Sequence, residues 1–344
     1  MNPLLQVEQL CVDYPAKRRQ SFRAVDSVDL TVAPGETLGL VGESGSGKST
    51  IAKAILGIAP VTSGTIRFDG AELDTRRVRR RKPVTDLGVV FQDPVSSLDP
   101  TKTVGYTVAE PLVAKLRREG GEKPDVRQRV AEMLDRVGLP AGAASRYPAQ
   151  FSGGQRQRIA IARAFIVEPR LVICDEAVSA LDLSVQAQIL NLLTDVQREL
   201  AVSYLFISHD LSVVEHLSDR VLVLYRGRVM ESGTAAGLVQ SPRHPYTRAL
   251  LAAAPVHDPA RQRERRELRA SYRVERGRSV SLGNSCPYTH RCRFAVDQCF
   301  QQRPLPQAID AGGVVACHRY GDLPPDATID LAAGPGPAAT EGAQ

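Results

Sequence analysis

The chain has 344 residues, 43% of them apolar and 24% charged, and a formal net charge of +6. That length holds one large or two ordinary domains, and the composition excludes an intrinsically disordered chain. No run approaches the roughly 18 apolar residues of a membrane span, and the opening "MNPLLQVEQL" lacks a charged lead and apolar core, so a cytosolic protein without a signal peptide is expected.

The mild basic excess allows nucleic acid or an anionic membrane surface as a partner but demands neither. Arginines cluster at 76–82 and 261–269, and Glu264 and Glu267 interrupt the second cluster. A solvated linker or helix face explains that pattern, and no nucleic-acid partner is expected.

In chain order, an antiparallel β region is expected near residues 5–35 and 60–75. "TLGLVGESGSGKST" then runs an apolar strand, Leu38–Val41, into Gly42, Ser44, Gly45 and Gly47, followed by Lys48, Ser49, Thr50 and a helical "IAKAIL". This is the strand–loop–helix setting of a P-loop, in which glycines let backbone N–H groups wrap phosphates and the helix N-terminus adds its positive end. Lys48 should reach the β- and γ-phosphates, and the Ser49 hydroxyl should coordinate Mg²⁺.

Gln92 follows in "VVFQDP", and helices are expected from about 93 to 167. "QFSGGQRQRIAIARAF" places Ser152, Gly153, Gly154 and Gln155 at the start of a helix, a second anion-binding N-terminus with small residues for close approach. One nucleotide does not need two cradles from one chain. A dimer, in which this loop closes on the γ-phosphate held by the partner's P-loop, is the economical explanation.

"RLVICDEAVSALD" reads as a buried strand, Leu171–Cys174, ending in Asp175 and Glu176. An Asp at such a strand tip can hold Mg²⁺ through water, and the adjacent Glu176 can orient and deprotonate the attacking water. The next stretch has apolar residues at 185, 189, 192, 193 and 196, an amphipathic helix. His209 ends the strand of "YLFISHD", and "RVLVLYRGRVMESG" predicts a β-hairpin around Arg226-Gly227.

With these motifs in this order, residues 4–250 resemble an ATP-binding cassette (ABC) ATPase. The resemblance implies a P-loop α/β fold with a mostly parallel core, an antiparallel β region and a helical subdomain at about 93–167. It implies an ATPase using ATP and Mg²⁺, with Glu176 as catalytic base and His209 on the γ-phosphate. Tyr14 would stack on adenine. Gln92 would sense the γ-phosphate, join Ser49 and Asp175 at Mg²⁺, and contact a transmembrane partner. Asp182, in "SALD", would belong to the loop that communicates across the dimer. Phe151 stands where the family more often has Leu, a conservative change.

The chain carries one cassette, without an internal repeat. "YPAQFSGGQRQRIAIARA", "CDEAVSALDLSVQAQILNLL", "SPRHPYTRALLAAAP" and a late cysteine cluster are similar to ATPase subunits of bacterial oligopeptide/dipeptide importers, closer to the F-type than the D-type. In that group His244-Pro245-Tyr246 opens a C-terminal extension, placed here at 251–325 after an ATPase domain at 1–250. The implied partners are a second related ATPase in a heterodimer, two membrane permeases and an extracytoplasmic substrate-binding protein. The implied location is the cytoplasmic face of a bacterial plasma membrane. Nickel, glutathione or another small solute stay open as cargo. A soluble non-transport ABC ATPase and a redox-regulated cassette stay open as classes.

Past residue 255 the composition shifts toward Arg and Pro, and the Gly/Ala/Pro-rich end, 326–344, is expected to be disordered. A small extension with little core needs a staple, and Cys286, Cys292, Cys299 and Cys317 offer one. The cytosol disfavours a disulfide, and no C-x₂₋₄-C pair supports zinc, but spacing alone leaves zinc, an iron–sulfur centre and bare thiols open. The resemblance implies a [4Fe–4S] cluster on these four thiols, with His318 a neighbour rather than a ligand. Cys11 and Cys174 fall in apolar strands and are expected to be core thiols.

Overall fold

The computed structural model describes residues 2–15, 21–73, 86–93, 97–119, 124–179, 181–254, 266, 284–309 and 312–324. The arginine cluster at 76–82, all of 261–269 except Arg266, and the expected disordered end lie outside the described residues. Two compact units divide the chain: Met1–Asp219 with Arg226–Arg228, and Arg220–Tyr225 with Val229–Gln344.

In the first unit, β1 (Leu5–Pro15), β2 (Ser21–Val32), β4 (Ser63–Phe68) and β5 (Ala71–Glu72) form an antiparallel sheet in the order β2-β1-β4-β5, where an antiparallel region was expected. Along β1, Leu5 and Val7 are buried while Gln6 and Glu8 are not, the period of a half-covered strand. Leu10, Cys11 and Val12 are then all buried, which requires the alternation to slip, and the register with β2 shifts there.

The second sheet of this unit is parallel: β3 (Thr37–Val41), β8 (Ser203–Ser208), β7 (Leu171–Asp175) and β6 (Leu87–Val90), in the order β3-β8-β7-β6. All residues of β3 and β8 are buried, as expected for strands covered on both faces and written as nearly continuous apolar runs. The register pairs Val41 with Ser208 and Asp175 with Ile207, so β3, β7 and β8 end level with one another. In open α/β sheets that carboxyl edge is where ligands bind.

Helix α1 (Lys48–Ile55) follows β3. Between β6 and β7 lie α2 (Val104–Glu119), α3 (Val126–Arg136) and α4 (Gly153–Phe165), within the expected helical span. Helix α5 (Leu183–Leu200) buries Ile189, Leu190, Leu192, Leu193 and Val196, nearly the face read from the apolar spacing, and α6 is Leu211–Leu217.

The second unit contains β9 (Arg220–Tyr225), β10 (Arg228–Thr234), α7 (Ala235–Gln240), α8 (Pro245–Ala253), α9 (Asp297–Gln301), β11 (Gln307–Ile309) and β12 (Gly313–Val315), with strand order β11-β12-β10-β9. Arg226 and Gly227 both have positive φ, 47° and 78°, the paired left-handed residues of a tight hairpin turn, as the sequence predicted.

Glu231 of β10 is 2% exposed, and its carboxylate accepts the backbone N–H of Arg243 at 2.7 Å and of His244 at 2.9 Å. Burial pushes its pKa up, and the two donated hydrogen bonds work against that rise. In Glu231→Ala both N–H groups lose their acceptor. The expected loss is about 2–4 kcal/mol, read as a fall in melting temperature; an unchanged melting curve would show that the carboxylate holds nothing in place. Among the described residues no helix is long and apolar enough to cross a membrane.

Candidate nucleotide site

The loop between β3 and α1 takes a path open mainly to glycine. Gly45 has φ +76° and Gly47, at the N-cap of α1, has φ +107°. Lys48 heads the helix but folds back into the loop. It is 4% exposed, and its ammonium donates to the carbonyls of Gly42 at 2.7 Å and Glu43 at 3.1 Å. Burial pulls its pKa down, while Glu176, Asp175 and Glu43 pull the other way.

The next helix residue, Ser49, donates its hydroxyl to Asp175 Oδ1 at 2.9 Å. Burial raises the Asp175 carboxyl, and the Ser49 hydrogen bond offsets part of that rise. A hydroxyl and a carboxylate oxygen at this spacing are hard-oxygen donors suited to Mg²⁺.

Glu176 follows in left-handed backbone, φ 50°, a costly conformation for a non-glycine residue, and its N–H is tied to Ile207 O at 3.0 Å. Its carboxylate is shared among three neighbours. Oε1 lies 4.0 Å from the Lys48 ammonium, and Oε2 accepts from Gln92 Nε2 at 3.0 Å and lies 3.5 Å from His209 Nδ1. Four residues from the ends of four parallel strands or their following loops thus converge: Lys48, Gln92, Glu176 and His209. An open groove beside them is lined by Lys53, Phe91, Gln92, Arg163 and Asp175. Arg163 escaped the sequence reading because it sits inside an apolar helical pattern. It is half-buried and donates to Ser97 O at 2.5 Å, and only its place among alanines and isoleucines hinted at that burial.

The other expected residues make no hydrogen bond or ion pair with this cluster among the described residues. Tyr14 lies near the end of β1, paired with Phe22. Thr50 is half-buried in α1, and Ser44 is exposed at the loop tip.

Ser152 is the N-cap of α4, in a capping box with Gln155: the Gln155 N–H donates to Ser152 Oγ at 3.3 Å, and the Ser152 N–H to Gln155 Oε1 at 3.0 Å. Gly153 leaves the start of the helix open. A Cβ on Gly154 would come within 2.5 Å of Val185 Cγ1, so glycine is there for packing. Phe151 is buried under the Arg146 guanidinium, 4.4 Å from its ring centre, a stacking partner that a leucine could not give. Asp182 caps α5, accepting from the Val185 N–H at 3.0 Å.

In the second unit Cys286, Cys292 and Cys299 are each 8% exposed. With Cys317, His244 and Tyr288 they line one cavity. Burial pushes the Cys292 thiol up to about 12 and Cys317 to about 11. The Cys286 N–H donates to Cys299 O at 2.9 Å, and the Thr289 hydroxyl sits between the carbonyls of Cys286 and Cys299. All six cysteines are free thiols, and Cys11 and Cys174 are core residues, as expected. His318 contacts Gln302 O at 3.0 Å. Among the described residues no group of three or more His, Cys, Asp or Glu side chains is placed to hold a metal ion.

A P-loop at one strand end, with acidic residues and a histidine on neighbouring strand ends, defines a nucleotide-binding domain of the P-loop class. Residues 25–179 match the family described as ABC transporter, and residues 230–299 match the oligopeptide/dipeptide transporter C-terminal region. The chain is 44% identical over 314 residues to the oligopeptide transport ATP-binding protein OppF of Salmonella typhimurium, covering 88% of this chain and 92% of OppF. It is 49% identical over 274 residues to the glutathione import ATP-binding protein GsiA of Salmonella choleraesuis, covering 77% of this chain but 43% of GsiA, so it spans less than half of that relative's length. The solved ATP-binding cassette MJ0796, a dimer in a post-hydrolysis state bound to ADP and Pi, superposes with a TM-score of 0.58 at 29% identity, covering 67% of this chain and 98% of that one. The chain belongs to the ATP-binding subunits of ABC transporters of the oligopeptide/dipeptide type.

Proposed function

We propose that the chain binds and hydrolyses ATP with Mg²⁺ to power import of peptides through separate membrane permeases. The observation that carries this reading is the Glu176 carboxylate held among Lys48, Gln92 and His209, one residue after the Asp175–Ser49 pair. Lys48, Gly42, Ser44, Gly45, Gly47 and Thr50 cradle the phosphates, Tyr14 stacks on adenine, and Ser49, Asp175 and Gln92 surround Mg²⁺. Glu176 is the base that activates water, with Gln92 and His209 placing the γ-phosphate beside it.

Ser152, Gly153, Gly154, Gln155 and Asp182 serve the site of a second, related ATPase. The absence of any hydrogen bond or ion pair from them to this chain's own carboxylate cluster among the described residues, and the dimeric relative, favour that reading. Two permeases and an extracytoplasmic binding protein complete the assembly, with this subunit peripheral at the cytoplasmic face. Functionally, residues 1–250 form the ATPase domain and 251–325 the extension. Peptide cargo follows from the names of both relatives, since glutathione is itself a tripeptide. Affinity capture from detergent-solubilised membranes should bring down permeases, and peptide-loaded binding protein should stimulate hydrolysis. Recovery with nucleic acid or a soluble complex, with hydrolysis indifferent to peptide, would overturn the transport reading.

The four cysteines of the extension are assigned a [4Fe–4S] cluster. Iron–sulfur clusters are held by thiolates that surround a shared space, and these four thiols line one cavity. The cavity lined by all four thiols supports the fit. Anaerobically purified protein should be brown with about four irons per chain. Colourless protein with one zinc per chain would overturn it.

A further inference from the structure

His244 is 1% exposed and caps α8 through its ring: Nδ1 accepts the Tyr246 N–H at 2.9 Å. An Nδ1 that accepts carries no proton, so the neutral ring bears its hydrogen on Nε2. Yet Nε2 closes no hydrogen bond of full geometry among the described residues, although the Ala316 backbone favours a proton on the ring. A buried N–H whose acceptor is so poorly met is costly and calls for an explanation.

The ring's surroundings supply one. His244 lines the same cavity as Cys286, Cys292, Cys299 and Cys317. Its backbone is fixed by the Glu231 carboxylate, and the Tyr288 ring packs 6.0 Å from it, centre to centre. Capping, tautomer and ring position are all set before any ligand arrives. A helix cap alone would be met by Asn, Asp or Ser, and none of these places a ring nitrogen on the cavity wall.

We propose that His244 is a fifth, non-ligating contact of the group held by the four cysteines, donating its Nε2–H to a cluster sulfur or a cysteine thiolate. This rests on the iron–sulfur reading above. An N–H aimed at sulfur stabilises the reduced, more negative cluster, which raises its reduction potential and helps retain the iron. His244 is thus a positioning and tuning residue, and the His-Pro-Tyr tripeptide joins the helix cap to the metal site.

The test uses the full chain, reconstituted anaerobically with ferrous iron and sulfide, as wild type and as His244→Asn. Asn can still cap α8 but is too short to replace Nε2. The variant should load iron as the wild type does, titrate to a more negative midpoint potential, and yield its iron to a ferrous chelator roughly tenfold or more faster. In wild type labelled with ¹⁵N-histidine, ENDOR of the reduced cluster should show a weak nitrogen coupling and an exchangeable proton, both absent from the variant. Equal potentials and unchanged proton coupling would overturn the role of His244 while leaving the cluster in place. A strong nitrogen coupling would overturn it in favour of direct ligation. If the variant fails to load, the wild-type spectrum still decides. A wild type that binds no iron overturns the cluster reading itself.

Discussion

Glu176→Gln should bind ATP as tightly as wild type and lose roughly a hundred- to ten-thousand-fold in turnover, the range for removing a general base. The amide matches the carboxylate in shape, so the contacts to Gln92 at 3.0 Å and His209 at 3.5 Å can persist in altered donor–acceptor form. What it cannot do is accept a proton from water. The substitution leaves the Lys48 hydrogen bonds to Gly42 and Glu43 and the Ser49–Asp175 pair in place, so the phosphate and Mg²⁺ contacts survive. A variant that binds but does not hydrolyse should also accumulate as an ATP-bound dimer, because hydrolysis is the step that releases it. Single-turnover hydrolysis, nucleotide binding and light scattering read the three effects separately. Wild-type turnover would remove Glu176 from the role of base. Loss of binding together with turnover would instead assign it to shaping the loop, which its left-handed backbone, φ 50°, makes the specific competitor.

The parts of this site legible in the sequence are those encoded locally. "GESGSGKST" announces its own conformation, because glycines are needed where φ is positive and the helix begins where the loop ends. Ser152 and Gln155 similarly spell out a helix start and prove to be a capping box. Less legible was what distant segments do for one another. That Glu176 meets Gln92 depends on strand order, since β6 lies beside β7 in the sheet.

Buried polar residues were the least legible of all. Glu231 lies in "RVMESG" and looks like an ordinary polar strand position, yet it anchors the backbone of Arg243 and His244. His244 was visible as part of a tripeptide, but its burial and its place beside four cysteines, Cys286 to Cys317, come from packing. The cysteines show the same limit. Their spacing could not show that all four line one cavity, because that depends on how distant segments pack.

Lys48→Ala should weaken ATP binding itself, by roughly ten- to a hundred-fold, because a charge-assisted contact of about 1.5–3 kcal/mol with the phosphates is lost. The ammonium has two tasks. It ties the loop through Gly42 O at 2.7 Å and Glu43 O at 3.1 Å, and it is the cation nearest the Glu176 carboxylate, 4.0 Å away. Burial already depresses its pKa, so incoming phosphates would meet a cation that gains from them what solvent no longer supplies. Removing it also leaves the negative charge of Asp175 and Glu176 less compensated facing an anionic ligand, Lys53 still acting on Asp175, which pushes affinity the same way. Stability should suffer less than in Glu231→Ala, because Lys48→Ala leaves two carbonyls short of a donor whereas Glu231→Ala leaves two backbone N–H groups without an acceptor, the costlier case. The informative comparison is therefore affinity against melting temperature. A variant that loses ATP binding but melts close to wild type identifies Lys48 as a phosphate contact. One that melts far lower has lost the loop rather than the contact, and undiminished affinity would end the case for a phosphate cradle at this strand end.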